Sequence, residues 1–387
     1  MSDPIGWGDQ EWGSSPWGGV PGTLNPETGY RLVLADRSGS GLGTPIVSDV
    51  FAAGLPYDSE YACRWSRGIG TAGTIEFTLP IDGCDAADFA PGQRELHLYR
   101  DDGRFGEQLA WAGHLWVADV RAPWVRFLGM GWYEALRHRE MSEDFYKFNA
   151  EQRNIAWQLI DYTQSQTDGG LGITRESAAG SSTQRTVAYC AEERQNIAEA
   201  IEDLAAADDG FDFEVGPDKV WRTWTPSRGS DLSGSITLDT TTSIVDMSYT
   251  ADATSIENDV AGVGSKGDCE PIHFVTVLDT ASRSAYGLMQ ATIERSDMKW
   301  DDEHITALAR EELALRKDIR RQPRIKCFQG LIGNSPLTGD FDLGDVIGVE
   351  ASWGYATFSD TFRLLDYAVT FDRMGNEMLE FTFDAVA

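Results

Sequence analysis

The chain has 387 residues, 41% of them hydrophobic and 11% aromatic, and a formal net charge of −30. This length allows two or three folding units, and this apolar content excludes wholesale disorder. The acidic excess disfavours direct contact with nucleic-acid backbones or anionic membrane surfaces and points to solubility or to partners with basic faces.

Residues 1–27 form a Gly/Trp/Pro arm without regular periodicity, in which Trp7, Trp12 and Trp17 recur every five residues. Strand-like segments follow at 30–36, 73–80, 94–100, 109–120 and 124–132. The alternation of Ile75, Phe77 and Leu79, and of Leu96 and Leu98, is the period of a half-buried strand. Glycine or proline marks nearly every junction, as in "APGQ" and "DDGRFG".

The pattern then changes. Asn149 with Gln152 three residues on predicts an N-cap, and Ile155, Leu159 and Tyr162 mark a helical face up to about residue 166. A Gly/Ser/Thr-rich loop covers 168–185. A second helix is predicted over 192–207, with Ile197, Ile201, Leu204 and Ala205 on one stripe. It passes through "DDG" into "FDFEV", where Phe211, Phe213 and Val215 alternate. From about residue 230 the chain is β-like again, with "SIVDMSYT" and "NDVAGVG". One long helix interrupts it, capped near Asp301, running to about Arg321 and burying Ile305, Leu308, Ala309 and Leu313. Strands at 345–350, 361–371 and 377–383 close the chain.

An internal match lies at an offset of 252. "FAPGQRELHLYR" from Phe89 overlays "FDLGDVIGVEAS" from Phe341, "GHLWVADV" from Gly113 overlays "LDYAVTFD" from Leu365, and "VRF" at Val125 overlays "EML" at Glu377. Identities are few, but the order of apolar anchor, glycine turn, strand, long strand and return strand persists without a gap. It is either the common look of β-meanders or a repeated β-domain with α-containing segments between its copies.

Candidate chemistry is sparse. "GIGTAG" (Gly68, Gly70, Gly73) and "GVGSKG" (Gly262, Gly264, Gly267) fit Gly-x-Gly-x-x-Gly, but no helix start follows either, so both read as turns and not as phosphate cradles. No Gly-x-Ser-x-Gly occurs. The five histidines show no i, i+4 pairing and the five scattered cysteines form no Cys-x-x-Cys, so no metal, cofactor or disulfide framework is expected. No export signal and no apolar run near eighteen residues is visible. Asp208, Asp209, Asp212 and Glu214 lie near Trp221 and Trp224, the kind of carboxylate and aromatic set that glycoside hydrolysis uses. Since Asp212 and Glu214 alternate with Phe211 and Phe213, they are expected on the solvent face of their strand. The basic end of the long helix (Arg316, Lys317, Arg320, Arg321, with Arg324 and Lys326) is the concentrated positive patch of the chain. It stabilises the helix through its dipole and is a candidate face for an acidic neighbour.

The run "GTIEFTLP…FAPGQRELHLYRDDG…LAWAGHLWVADV…VRFLGMGWYEALRHR" resembles the first β-domain of baseplate-hub, or tail-tip hub, minor tail proteins of long-tailed phages. "EERQNIAEAIEDLAAADDGFDFEV" resembles that family's helix followed by a Gly-Phe-Asp-Phe strand, and "ATSIENDVAGVGS" the strand that leads into its second β-domain. The repeated Trp-Gly start is similar to N-termini of phage distal-tail and hub proteins, particularly those of actinobacterial phages. The resemblance covers most of residues 28–384. It implies a mainly β fold with α+β inserts: two similar β-barrel-like hub domains plus intervening helix-containing segments. The boundaries are a flexible Trp/Gly arm at 1–27, a first β hub domain at 28–147, an α+β insert at 148–229, and a second β hub domain at 230–387 with an inserted helix at about 301–321.

The function implied is structural, without catalytic residues. A homotrimer would form a pseudo-sixfold ring joining the sixfold tail tube and distal tail protein to a threefold tip, in contact with the tape-measure protein and downstream tip or fibre proteins. The place implied is the virion tail tip, assembled in the host bacterial cytoplasm. The chain ends directly after its last predicted strand, leaving no room for an appended peptidoglycan-cleaving or carbohydrate-binding module. Three alternatives stay open: a monomeric glycan-binding or glycan-cleaving β-protein, motivated by thirteen Trp and the acidic excess; a distal tail protein; or the equivalent protein of a gene transfer agent. In a ring, Trp7, Trp12 and Trp17 would act as latches on an adjacent subunit or layer, because buried aromatics are strong interface anchors.

Overall fold

The first third forms seven strands: β1 (Gly29–Asp36), β2 (Gly41–Val47), β3 (Cys63–Gly68), β4 (Thr74–Pro80), β5 (Arg94–Asp101), β6 (Glu107–Arg121) and β7 (Trp124–Gly131); five follow the expected segments, and β2 and β3 were not among them. The structure, a computed structural model, describes residues 29–36, 41–47, 63–84, 86–101, 106–177, 183–207, 209–265, 273–299, 302–328, 339–354, 356–371 and 377–385. Ile75, Phe77 and Leu79 of β4 are buried as their alternation predicts.

Residues 134–224 form an α+β segment: α1 (Glu134–Arg137), β8 (Phe145–Glu151), α2 (Gln152–Ser165), β9 (Thr174–Arg175), β10 (Gln184–Tyr189), α3 (Ile197–Ala206), β11 (Asp212–Val215) and β12 (Val220–Trp224). β10 pairs with β8, and β12 pairs with β11 and β9. A separate core gathers Ile155, Leu159, Ile201, Leu204, Phe213 and Trp221.

Two expected helix starts are corrected. Asn149 does not cap α2: it lies in β8 with φ 45°, where the pairing with β10 slips between Arg185 and Val187. A bulge residue in the left-handed region suits Asn, and Glu151 opens the helix without a side-chain cap. α3 begins at Ile197, because Arg194 at φ 50° breaks the preceding turn and Asn196 accepts from the Ala198 and Glu199 amides at 2.9 and 3.2 Å.

The last part contains β13 (Thr237–Asp239), β14 (Asp246–Asp252), β15 (Asp259–Ser265), β16 (His273–Leu278), α4 (Thr280–Tyr286), β17 (Gln290–Lys299), α5 (Asp302–Arg316), β18 (Arg320–Phe328), β19 (Val346–Trp353), β20 (Ala356–Phe371) and β21 (Glu377–Ala385). The single helix expected here is one part of an α/β unit, since β16, β15 and β17 make a three-stranded sheet in which β15 and β17 are parallel. Gly262 and Gly264, expected in a turn, stand within β15. They let α5 close on the sheet, because a Cβ at Gly264 would meet Ile305 Cδ1 at 2.4 Å. Ile305 and Ala309 are buried as expected, while Leu308 and Leu313 are half-buried. α5 ends at Arg316, so Arg320 and Arg321 belong to β18 and not to the helix.

The remaining strands join in one sheet ordered β14-β18-β21-β20-β3-β4-β7-β6-β5-β1-β2, with β19 and β13 branching from β20. The β regions at the two ends of the chain therefore share one sheet and one hydrophobic core, joined where β20 pairs with β3 from Asp366↔Gly68 to Phe371↔Cys63. The sheet stays open.

Within that sheet the internal match is three-dimensional. β5-β6-β7 and β19-β20-β21 are both antiparallel meanders. Gly92 (φ 74°) and Gly344 (φ 86°) turn the chain alike, and each amide bonds at 2.7 Å to the carbonyl just before a bulge, on Leu115 and Leu364 respectively. The bulges fall between Leu115 and Val117 and between Leu364 and Asp366. Phe89 stacks on Phe127 at 4.5 Å, and Phe341 meets Phe381 edge-on at 5.0 Å. The match is not gapless: β5 and β19 are 252 positions apart, but the bulges are 249 apart and Phe127 and Phe381 are 254 apart, the hairpins absorbing the difference.

Candidate functional site

Phe213 of β11, with Phe211 just before the strand, is buried in the α+β core beside Trp221. The opposite face is not open to solvent, as alternation alone implied. Glu214 is 5% exposed and holds two arginines, Arg67 of β3 at 2.5 Å and Arg228 at 2.5 Å. Arg228 also reaches Asp342 at 2.6 Å, and Asp212 accepts from the Arg228 amide at 2.6 Å and from Arg363 of β20. Three guanidiniums and three carboxylates thus balance in one network. Burial opposes the charge of Arg67, but Tyr367 and Glu214 beside it keep its guanidinium firmly protonated.

The network ties three parts of the chain: Arg67 comes from the first β region, Asp212, Glu214 and Arg228 from the connecting segment, and Asp342 and Arg363 from the second β region. The "GIGTAG" turn sits at the same joint. Its Ile69 amide bonds to the Leu365 carbonyl and its Gly70 amide to the Phe213 carbonyl, both at 2.9 Å, and Gly70 at φ 66° needs no Cβ. A second buried junction links β5 and β21. Arg100 forks onto Glu377 at 2.8 and 2.7 Å, and Tyr30 donates to the same carboxylate while accepting from Trp65 Nε1 at 3.4 Å. Burial, with the Glu377 charge beside it, raises the Tyr30 hydroxyl well above its usual pKa, so it stays a donor.

These carboxylates are engaged with arginines, a geometry that positions backbone and leaves no free acid facing an opening. Trp221 is fully buried and Trp224 lies under the Arg228 guanidinium at 4.3 Å, so neither offers a platform for a sugar ring. The cavity beside Arg67, Trp111, Glu214 and Pro217 is about 20 Å³, room for one water. A shallow groove of about 400 Å³ runs along the β19–β20 hairpin past Asp239, Glu350 and Phe358. No described helix is long and apolar enough to cross a membrane.

Trp7, Trp12 and Trp17 lie outside the described residues. Arg316 pairs with Glu257 at 2.9 Å and with Glu312, and Lys317 reaches Asp279 at 3.5 Å. Arg320 and Arg321 stand in β18 opposite Asp252 and Ala251 of β14. Arg67, Arg228, Asp342 and Arg363 were not anticipated; they are far apart in sequence, and only the folded chain assembles them. One legible signal was missed. β6 has 15 residues and β5 only 8, so half of the long strand needs another neighbour.

No family model and no curated protein matches the sequence. Solved structures do match the fold. The tail protein from Neisseria meningitidis MC58 superposes with a TM-score of 0.60 at 12% identity, covering 92% of this chain and 96% of that one. The 43 kDa tail protein of prophage MuSo2 from Shewanella oneidensis gives 0.57 at 12% identity, covering 91% and 97%. Prophage tail protein gp18 from Listeria monocytogenes EGD-e gives 0.55 at 11% identity, covering 92% and 94%. The chain has a phage-tail type of fold across nearly its whole length.

Proposed function

We propose that the chain is a structural subunit of a phage-type tail, acting as a tail-tip hub. Three copies would form a ring in which two similar β regions per chain give six similar positions, joining a sixfold tube and distal tail protein to a threefold tip. The observation that carries this reading is the internal repeat: two meanders with the same glycine turn, bulge and Phe–Phe contact, held in one rigid sheet by two buried ionic junctions. A device that meets sixfold symmetry with three subunits needs two such copies per chain.

The role is non-enzymatic, the carboxylates being committed to arginines. The partners are a second copy of the chain, the distal tail protein, the tube and tape-measure proteins, and downstream tip or fibre proteins. The site of action is the virion tail tip, reached after assembly in the bacterial cytoplasm. Domain limits at 27, 147 and 229 belong to the same reading, as does the latch role of Trp7, Trp12 and Trp17 and the contact role of Arg316, Lys317, Arg320 and Arg321. The test is the symmetry of the chain in intact particles, supported by its mass in solution. Three copies alternating two β regions around the tube are expected. Six equivalent copies would make it a distal tail protein, and a strict monomer that binds oligosaccharide would overturn the reading.

A further inference from the structure

The two β regions differ at one edge. In β20, the residues before the bulge pair with β19 and those after it, 366–371, pair with β3. In β6, the residues before the bulge pair with β5, but those after it, 117–121, have β7 on one side and no strand among the described residues on the other. The consequence is visible at matched positions. Val369 of β20 has no exposure; Val120, at the same place relative to the bulge in β6, is 61% exposed. Tyr367 and Phe371 are buried, whereas Ala118 and Ala122 are not.

The strand equivalent to β3 is β14. β3 pairs with β4 and β4 with β7; β14 pairs with β18 and β18 with β21. Following those registers, Cys63, opposite Phe77, corresponds to Met247, opposite Ile325, and Trp65 therefore corresponds to Tyr249. Among the described residues β14 ends the sheet with β18 as its one neighbour, and its outward residues Ser248 and Thr250 are exposed. Among the described residues the chain thus carries an open socket after the β6 bulge and, in β14, an edge strand of the kind that fills the matching socket after the β20 bulge.

We infer that the edge of β6 at residues 117–121 takes β14 of a second copy of this chain as an antiparallel neighbour, with Val120 opposite Tyr249 of the partner subunit. The inference rests on the ring reading above and names the contact that would build it. The register copies Val369↔Trp65, so the exposed Val120 gains the cover its counterpart already has. On the outer face, Arg121, with an 81% exposed side chain, comes diagonal to Asp246 of the partner subunit, exposed at 68% in this chain. The contact joins two different surfaces, so it repeats from copy to copy until the ring closes, and closure removes both open edges. Each chain then supplies one joint within itself, β20 to β3, and one to its neighbour, β6 to β14.

The test uses the full chain with Cys84, Cys190 and Cys269 replaced by Ser. Residues directly opposite across an antiparallel pair have Cβ atoms about 5 Å apart, within reach of a short bifunctional thiol reagent. Val120→Cys with Tyr249→Cys should give dimer and trimer bands, each single variant none, and Val120→Cys with Ser248→Cys, on opposite faces, none. Val120→Asp, altering a residue exposed in the lone chain, should leave the melting temperature unchanged and abolish the oligomer. An oligomer that forms without the Val120–Tyr249 cross-link and survives V120D overturns the pairing and leaves the ring. A chain that stays monomeric at every concentration overturns the ring, and the pairing with it.

Discussion

Asp366 follows the β20 bulge and faces Gly68 at the joint between the two β regions. Burial is the main reason its carboxyl is pushed up to about 6, with Glu380 adding to the effect and Arg64 and Arg324 opposing it. A raised carboxyl pKa means that folding takes up a proton between the unfolded value near 4 and about 6. Its stability contribution is therefore intact below pH 4 and lost as pH rises through 6. Asp366→Asn should be neutral near pH 4 and stabilising above pH 7, by at most about 3 kcal/mol. Thermal melts of both proteins across that range check this, and a pH-independent difference would sink it. Glu214 works in the opposite sense, as a charge that two guanidiniums require. Glu214→Gln leaves Arg67 and Arg228 without their shared counter-charge and should cost roughly 3–5 kcal/mol, read as a lower urea midpoint. Its burial was not legible in the chain. Alternation correctly set Glu214 opposite Phe213, but it says nothing about whether the far face of a strand meets water or another part of the molecule.

At the scale of elements, strand positions were legible because period-two alternation bounded by glycine or proline is a local property. β4, β5, β7 and β21 lie within a residue or two of their expected limits. Helix starts were less so: Asn149 and Asn196 have the same chemistry, yet one fills a bulge and the other caps α3, a choice made by the strand that β8 pairs with. The α/β unit around β15 was hidden because its glycines resemble turn residues, whereas they answer to the helix above them. Gly264→Val should push Ile305 and α5 off the sheet and cost about 1–3 kcal/mol. Adding Ile305→Ala should recover part of that loss, and a double-mutant cycle measures the coupling. Additive costs would show that α5 does not pack on Gly264.

For the whole molecule, the arm at residues 1–27 and the edges of the sheet are where assembly is expected to act. Deleting residues 1–19 should leave the melting temperature unchanged and reduce incorporation into particles; normal incorporation would show that Trp7, Trp12 and Trp17 are not latches. By itself the sequence determined the β-rich class, the positions of the most regularly alternating strands and the match between two meanders, because each follows from spacing along a short stretch of chain. Only the tertiary structure decided that the two meanders share one open sheet, that β20 finds β3 while the equivalent part of β6 meets no second strand among the described residues, and that Asp212 and Glu214 lie inside an ionic joint. Those outcomes depend on which distant segments meet: Glu214 and Arg67 are 147 residues apart, and no local pattern encodes which of sixty-two acidic side chains a given arginine will reach.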